Sequence, residues 1–333
     1  MNWKLACVAL AVPLAACNAP FSNDEILFLK AAPRGLRIEV PDEQGVQHQG
    51  LRVAQSDEKT PARFYQDTLR SAQEANDGIL SLLDMVDALV VLEPSVREDD
   101  KRVWGPLPAS EAAELALVVN RVRTATVVQF TSTSTRAEAD QYFEFYMAAR
   151  PPGTGDDAWV VLFGGTSLPQ TSNRQGTGVL AVDFDNFHRF DPTIDAAGLV
   201  YVAYDTRFEQ TAIDLAIDVV RQGPFMAKAA WAYRDDGEGG GRFVYYLIED
   251  LVPTTPAEEI LGIAARWLPT GRGRADVVVT EGDVPTFYLA SECWNDAFER
   301  VYLASSIPTP DFTPSGEVSA CGPDLLSPQF PDD

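Results

Sequence analysis

The sequence has few of the residues that most often carry catalytic chemistry. Its 333 residues include two histidines and four cysteines, so a catalytic triad would depend on His48 or His188. No Gly-x-Ser-x-Gly nucleophile turn is present. A metal site would need more cysteine or histidine ligands than the chain offers. We therefore predict no catalytic residue, no metal and no cofactor from the sequence.

Basic residues are also scarce. The chain has 26 Lys and Arg against 49 Asp and Glu, which gives a net charge of −23. Such a surface repels nucleic acid and anionic membrane faces, so nucleic acid is excluded as a partner. Hydrophobic residues make up 46% of the chain and aromatic residues 10%. This composition predicts a folded core and excludes a disordered chain.

The apolar residues at the start of the chain are too few for a permanent transmembrane helix. Lys4 is followed by an apolar run that ends at Leu14, whereas spanning a bilayer takes roughly 20 apolar residues. The pattern predicts a secretion signal over residues 1–16. "LAAC", which ends at Cys17, resembles the lipobox of bacterial lipoproteins. The alternative is a plain signal peptide that contains a cysteine.

The lipobox resemblance implies cleavage before Cys17 and acylation of its thiol and its new amino group. Two or more acyl chains hold a protein stably on a membrane, so the membrane is an expected partner. Asn18 stands where an Asp would retain a lipoprotein at the inner membrane, which favours the outer membrane. We interpret residues 17–60 as a tether with one short strand, "GLRIEVP".

Two further cysteines, Cys293 and Cys321, form an even pair that predicts a disulfide in an oxidising compartment. The bond would join the Pro-rich tail, residues 306–333, to the segment "ASECWNDAFERVYLA". Trp294, Phe298 and Tyr302 recur at helical spacing in this segment, which predicts a short helix packed on the core.

One long helix is predicted over residues 61–92. Thr60-Pro61 provides a capping side chain and a proline at the first helical position, and Pro94 ends the helix. Apolar residues recur at helical spacing in between. The second half of the helix is apolar on nearly every side, so another element must cover it.

From residue 114 to about residue 280, apolar and polar residues alternate with the period of β-strands. The connections are too short for crossover helices, so an antiparallel meander is predicted. Met226 to Asp250 form its clearest hairpin, around the turn "DDGEGGG". We expect a mainly β, α+β fold of about 10 strands, curled into a barrel or half-barrel with the long N-terminal helix packed on or in it. One domain is predicted over 61–305.

Two stretches carry polar side chains that merit examination. Asp183, Asp185, His188 and Asp191 lie within "DFDNFHRFD", the best candidate polar site. The stretch does not match a calcium-binding loop, because Phe187 and His188 occupy its fifth and sixth positions, and a solvated turn is the simpler interpretation. "GRGRAD" carries two arginines that could touch an anion, although solvated arginines at a hairpin tip are more common.

"SECWNDAFERVYL", "VWGPLP" and "RWLPTGRGRADV", with the lipobox, are similar to a group of bacterial envelope lipoproteins without known activity. The resemblance therefore transfers no functional residue. One hypothesis is an envelope lipoprotein that binds an apolar small molecule or an envelope protein on a curved sheet. Its hollow interior would be lined by Phe143, Phe145, Val182, Phe184, Tyr245 and Leu247.

A second hypothesis, weighted about equally, is a structural or interaction protein of the envelope with a filled core. A third and weaker one is a hydrolase of envelope polymers, which would need two carboxylates about 5 to 10 Å apart across a cleft. With 49 acidic residues, the sequence does not select such a pair.

Overall fold

A computed structural model describes residues 28, 36–42, 61–123, 126–128, 137–139, 142–169, 176–194, 197–207, 210–220, 226–251, 257–282, 284 and 286–331. Cys17, the whole signal segment 1–16 and His48 lie outside these residues. Contacts group the chain into two compact units, whereas the sequence predicts one domain. The first unit is built mainly from residues 74–208 and 213–228, and the second mainly from 38–73 and 229–333.

Among the residues that the structure describes, sixteen strands make the fold mainly β. Fourteen of them form one antiparallel sheet that follows chain order, and β4 pairs with β5 separately. The strands are β1 (Val96–Glu98), β2 (Lys101–Pro108), β3 (Glu114–Val122), β4 (Thr126–Val128), β5 (Ala137–Ala139), β6 (Tyr142–Arg150), β7 (Val160–Pro169), β8 (Gly176–Asp183), β9 (Ala197–Asp205), β10 (Ala212–Val220), β11 (Met226–Asp235), β12 (Gly241–Glu249), β13 (Glu259–Trp267), β14 (Gly273–Thr280), β15 (Tyr288–Trp294) and β16 (Arg300–Ser305).

The predicted antiparallel meander is confirmed, and it is longer than the sequence pattern indicates. β1 and β2 precede residue 114, and β15 and β16 follow residue 280. The hairpin around "DDGEGGG" is also confirmed, because β11 pairs with β12 with Asp235 opposite Gly241.

Of the two predicted alternatives, barrel or half-barrel, the closed barrel is wrong. Closure requires the first and last strands of a sheet to pair. Within the described residues, the pairing order instead begins at β1 and ends at β16. Open sheets of about 8 to 15 strands are known. In the second unit, a helix lies on one face and the tail covers the opposite face of β13 to β15, as described below.

The predicted long helix is observed as three successive helical pieces. They are α1 (Arg63–Ala75), a π-helical turn (Asn76–Leu80) and α2 (Ser81–Val90). About sixty residues precede α1, so its description as an N-terminal helix is wrong. In α2, the apolar residues are buried as the pattern requires: Leu82, Leu83, Val86, Leu89 and Val90. A short further helix, α3 (Phe184–Phe190), follows β8.

Part of the predicted tether is packed into the fold. Residues 36–42 form no strand, which corrects the expectation for "GLRIEVP". Leu36 and Ile38 are nevertheless buried, and so is Phe28. Phe28 contacts Phe143 edge to face, with ring centroids 5.5 Å apart, and the guanidinium of Arg102 lies 4.5 Å from its ring centre.

The predicted short helix around Trp294 is wrong, because the segment is the β15–β16 hairpin. Asn295 stabilises the turn, since its side-chain oxygen accepts hydrogen bonds from the backbone N–H groups of Ala297 and Glu299 at 2.9 and 3.0 Å. Phe298 adopts a φ of 60°, which no α-helix permits. The two strands and the turn between them therefore place the aromatic residues at intervals in the sequence that resemble helical spacing.

In the second unit, α1 lies against one face of the sheet, which we call the inner face. The ring of Tyr65 packs on Trp294 and Phe298 with centroids 5.5 and 4.5 Å away. The Thr68 hydroxyl lies 2.9 Å from the Tyr245 hydroxyl. Trp294 and Phe298 thus belong to the core, as predicted. Tyr302 is partly buried on the opposite, outer face, beside the disulfide.

The tail of the chain passes from the inner face to the opposite, outer face. Phe312 stacks on Phe64 of α1 at 5.8 Å. Ser315 then exchanges two backbone hydrogen bonds with Leu303 of β16, at 2.8 and 2.9 Å, which covers that strand's edge. Cys321 is buried against Cys293 and Leu325. The outer face of β13 to β15 is therefore covered by the tail.

Candidate functional site

The polar stretch predicted after β8 forms α3 and its caps. Asp183 is the N-cap, and its carboxylate accepts hydrogen bonds from the backbone N–H and the side-chain amide of Asn186 at 3.0 and 2.9 Å. The carboxylate of Asp185 accepts from the N–H of Gly198 at 3.2 Å. Both carboxylates thus satisfy backbone donors, a structural role that fits the simpler interpretation.

The other two residues of this candidate site also bond locally. Nδ1 of His188 lies 2.8 Å from the carbonyl oxygen of Ile194. Because a carbonyl only accepts, this nitrogen carries the proton. The carboxylate of Asp191 accepts from the N–H of Thr193 at 3.0 Å. Among the described residues, no three His, Cys, Asp or Glu side chains lie together in a way that could hold a metal ion.

The predicted lining of a hollow interior is buried. Five of its six side chains are at most 2% exposed, and only Leu247 is half-buried. An interior wide enough for a ligand would leave its lining accessible. The buried side chains are Phe143, Phe145, Val182, Phe184 and Tyr245.

Cys293 and Cys321 form a disulfide, with sulfur atoms 2.11 Å apart and Cα atoms 5.4 Å apart. This is the pairing that the sequence predicts. It attaches the tail to β15 on the outer face of the sheet.

A buried ion pair holds the tail a few residues further on. Arg274 of β14 is 2% exposed and Asp276 is fully buried. Arg274 donates to Asp276 at 2.8 Å and to the carbonyls of Leu325 and Leu326 at 3.0 and 2.8 Å. Asp276 in turn accepts from the N–H of Gln329 at 2.8 Å. Hydrogen bonds of this kind offset the desolvation of the two charges.

"GRGRAD" therefore contains two different arginines. Arg272 makes the expected exposed hydrogen bond, to Asp296 at 3.2 Å. The interpretation of Arg274 as a solvated arginine is wrong, because the tail covers it. The sequence separates Arg274 from Leu325 by fifty residues, so local pattern carried no signal for this contact.

Arginines occupy the same row on four neighbouring strands of the second unit. Arg234 of β11 is paired with Arg242 of β12, Arg242 with Arg266 of β13, and Arg266 with Arg274 of β14. Directly paired residues of antiparallel strands project from the same face. Arg274 is next paired with Cys293, so this is the outer face. We call these four residues the arginine row.

The turns of the sequence could have revealed this row. The hairpin "RDDGEGGGR" sets Arg234 opposite Arg242, and "RWLPTGR" followed by Gly273 and Arg274 sets Arg266 opposite Arg274. Joining the two pairs requires the register between β12 and β13. Residues 252–256 lie between these two strands in the chain, and the register is known only from the structure.

A buried carboxyl group lies on the inner face, at the start of α1. Glu292 of β15 is fully buried and accepts from the N–H groups of Arg63 and Phe64 at 3.1 and 2.7 Å. Burial raises the pKa of its carboxyl to about 7, against the lowering effect of these two hydrogen bonds and of Arg300. A carboxyl group from another element thus caps the helix. Because it is buried under α1, Glu292 is not placed to act on a substrate.

Comparison of the chain with protein-family models, curated proteins and solved structures found no match in any of the three. Among the residues that the structure describes, every helix is too short or too polar to cross a membrane.

Proposed function

We propose that this protein is a lipid-anchored lipoprotein of the cell envelope, attached at Cys17 and located at the outer membrane, and that it acts by binding an envelope protein rather than by catalysis. Burial of the interior lining is the observation that favours a protein partner over an apolar ligand held inside the sheet. Five of the six expected lining residues are at most 2% exposed, which favours a filled core over a cavity for an apolar ligand.

Native mass spectrometry of the full chain purified from its host, followed by lipid extraction, tests whether the interior holds an apolar ligand. We expect the mass of the acylated chain alone, with no lipid retained beyond the covalent acyl groups. A stoichiometric, extractable apolar molecule would instead support the carrier hypothesis.

The anchor is tested separately by Cys17→Ser. The lipobox assigns acylation to this thiol, so the variant should lose metabolic lipid labelling and membrane retention. A Cys7→Ser variant is the matched control and should be labelled and retained as the unsubstituted chain is. If Cys17→Ser remains in the membrane pellet after carbonate washing, another anchor exists.

We further infer that the sheet of the second unit curves around α1 as a half-barrel. α1 contacts Tyr245 on β12 and Glu292 on β15, which are three strand spacings apart, or about 14 Å. A helix is about 10 to 12 Å wide with its side chains. A concave sheet accounts for contact with both strands.

A further inference from the structure

The arginine row is unusual on electrostatic grounds, independently of the proposed function. Like charges placed directly opposite each other destabilise a sheet, and neighbouring strands lie only about 4.8 Å apart. The chain has far fewer basic than acidic residues. Four arginines in register on adjacent strands therefore concentrate positive charge on one small part of an acidic molecule.

The arginines of the row differ in how many of their N–H donors have a hydrogen-bond acceptor in the structure. Arg274 is fully engaged with Asp276, Ser291 and the tail, as described above. Arg266 donates through Nη2 to the carbonyl of Ser327, and its Nη1 lies 3.8 Å from Asp276. Its Nε and Nη1 atoms are buried and have no hydrogen-bond partner in the structure.

Arg242, the next residue in the row, is half-buried. Its guanidinium makes no ion pair or hydrogen bond with any residue that the structure describes. Arg234 flanks it and donates to the carbonyl of Tyr233 at 2.7 Å. Arg242 and Arg266 are thus neighbouring guanidinium groups whose donors exceed the acceptors around them.

The carboxylates nearest in the chain are directed to backbone groups. Asp236 accepts from the N–H groups of Glu238 and Gly240 at 2.8 and 2.9 Å, and Asp235 accepts from the N–H of Gly237. The carboxylate of Asp276 accepts hydrogen bonds from Arg274, Ser291 and Gln329. None of these three carboxylates accepts a hydrogen bond from Arg242.

Burial lowers the pKa of Arg266, and the neighbouring Arg274 and Arg242 lower it further, against the raising effect of Asp276. Asp276, the carboxylate that acts on Arg266, is also hydrogen-bonded to Arg274. A bound anion between Arg242 and Arg266 would supply the missing negative charge.

We propose that Arg242 and Arg266, flanked by Arg234, bind a phosphate group, either as free phosphate or as part of a phospholipid headgroup. The half-buried guanidinium of Arg242 can donate to phosphate in the forked manner typical of arginine. Arg266, about one strand spacing away, adds a second positive charge. Beside the row on the same face lie small apolar residues in register: Ala232, Val244 and Ala264. Ala232 and Val244 are half-buried, so the uncharged part of a headgroup could contact them, whereas Ala264 is buried.

The test uses the full chain in nonionic detergent, titrated with sodium phosphate against sodium chloride at matched ionic strength. Phosphate should raise the melting temperature of the unsubstituted chain. Arg242→Gln should weaken phosphate binding by about tenfold or more, since one charged hydrogen-bonding group is lost. Arg242→Lys should keep part of the affinity. In chloride alone, Arg242→Gln should melt at or above the temperature of the unsubstituted chain, because repulsion within the row is relieved.

Arg189→Gln is the matched control, since Arg189 is an exposed arginine of α3 outside the row. It should bind phosphate as the unsubstituted chain does. The proposal is overturned if phosphate has no effect beyond chloride, or if it stabilises Arg242→Gln as strongly as the unsubstituted chain.

A second arm identifies the source of the phosphate. Dihexanoyl phosphatidylglycerol, used as a monomer below its micelle concentration, is compared with inorganic phosphate and with dihexanoyl phosphatidylcholine. Tighter binding of the phosphatidylglycerol supports the site with a lipid headgroup as ligand. Equal or weaker binding than inorganic phosphate supports the site with free phosphate as ligand.

Discussion

At the scale of single residues, Glu292 shows how one buried carboxyl group links distant parts of the second unit. It lies in β15 and accepts hydrogen bonds from the first N–H groups of α1, which lies more than 220 residues earlier in the chain. Thr60, the cap predicted from sequence, lies outside the described residues. The helix is therefore capped by tertiary contact, which periodicity alone does not reveal.

The raised pKa of Glu292 predicts a pH dependence of stability. The folded state holds the proton up to about pH 7, whereas the unfolded chain releases it near pH 4.3. Between these values the unfolded state binds fewer protons, so the free energy of unfolding falls as the pH rises. This contribution is present in full below about pH 4.3, and about 3 kcal/mol of it is lost by pH 7.

Urea unfolding of Glu292→Gln from pH 4.5 to pH 7 should lack this contribution. The control is Glu111→Gln, which removes an exposed carboxyl group and should keep the slope of the unsubstituted chain. If all three proteins lose stability in parallel as the pH rises, the buried Glu292 is not the source of the dependence.

Substitution of two glycines by alanine gives further predictions at this scale. A Cβ at Gly273 would lie 2.2 Å from Cζ2 of Trp294 and 2.7 Å from the Arg266 carbonyl. Gly273→Ala should therefore cost about 1 to 3 kcal/mol of stability, the range for overpacking a core. A Cβ at Gly78, in the helical segment, would meet no atom within 4 Å. Gly78→Ala should stabilise by about 0.5 to 1 kcal/mol.

Chemical denaturation measures both glycine variants. Equal effects of the two substitutions would show that backbone entropy, and not the contact with Trp294, dominates at Gly273.

At the scale of elements, the tail acts as an additional layer of the second unit. It bridges the edge strand β16 and continues over the outer face, where the disulfide and Arg274 hold it. An uncovered edge strand invites pairing with another chain. The tail therefore protects the edge of β16 and buries the charges of Arg274 and Asp276. From its proline and glycine content alone, the sequence of the tail resembles an unstructured terminus.

Breaking the buried ion pair should loosen this layer. Asp276→Asn leaves the charge of Arg274 buried without a counter-ion, and such changes cost about 3 to 5 kcal/mol. Asp296→Asn removes the exposed partner of Arg272 and should cost less than about 1 kcal/mol.

Thermal unfolding of both Asp variants under oxidising conditions gives the comparison. A loss at Asp276 no larger than at Asp296 would mean that Arg274 is not constrained by the tail.

At the scale of the whole molecule, the helical segment is required in each unit. In the second unit α1 covers Tyr245 and Trp294, and in the first α2 buries five apolar side chains. Uncovering roughly 400 Å² of apolar surface costs about 10 kcal/mol. This is comparable to the stability of an entire domain.

A chain that starts at residue 96 should accordingly be insoluble. A chain that starts at residue 18 keeps the helical segment and the buried residues Phe28, Leu36 and Ile38, so it should be soluble and rich in strand. Circular dichroism and sedimentation check this. A soluble, strand-rich chain from residue 96 would make the helical segment an independent element.

Some features of this protein were determined by the sequence alone. Alternation with a period of two identified the meander, and turn residues set the register of its clearest hairpin. Helical spacing placed the helical segment within a few residues of its bounds. Cys293 and Cys321 are the only cysteines after Cys17, so the sequence predicts that they pair with each other. These signals are local, because each depends on the geometry of neighbouring residues in one element.

Tertiary structure alone decided the remainder. The alternation does not say how many flanking strands join the sheet, whether the sheet closes, or which segment covers each face. Glu292 capping α1, the tail over Arg274 and the arginine row all join residues from separate elements. Their energies arise from burial and charge proximity, which depend on distances in space, so no local pattern encodes them.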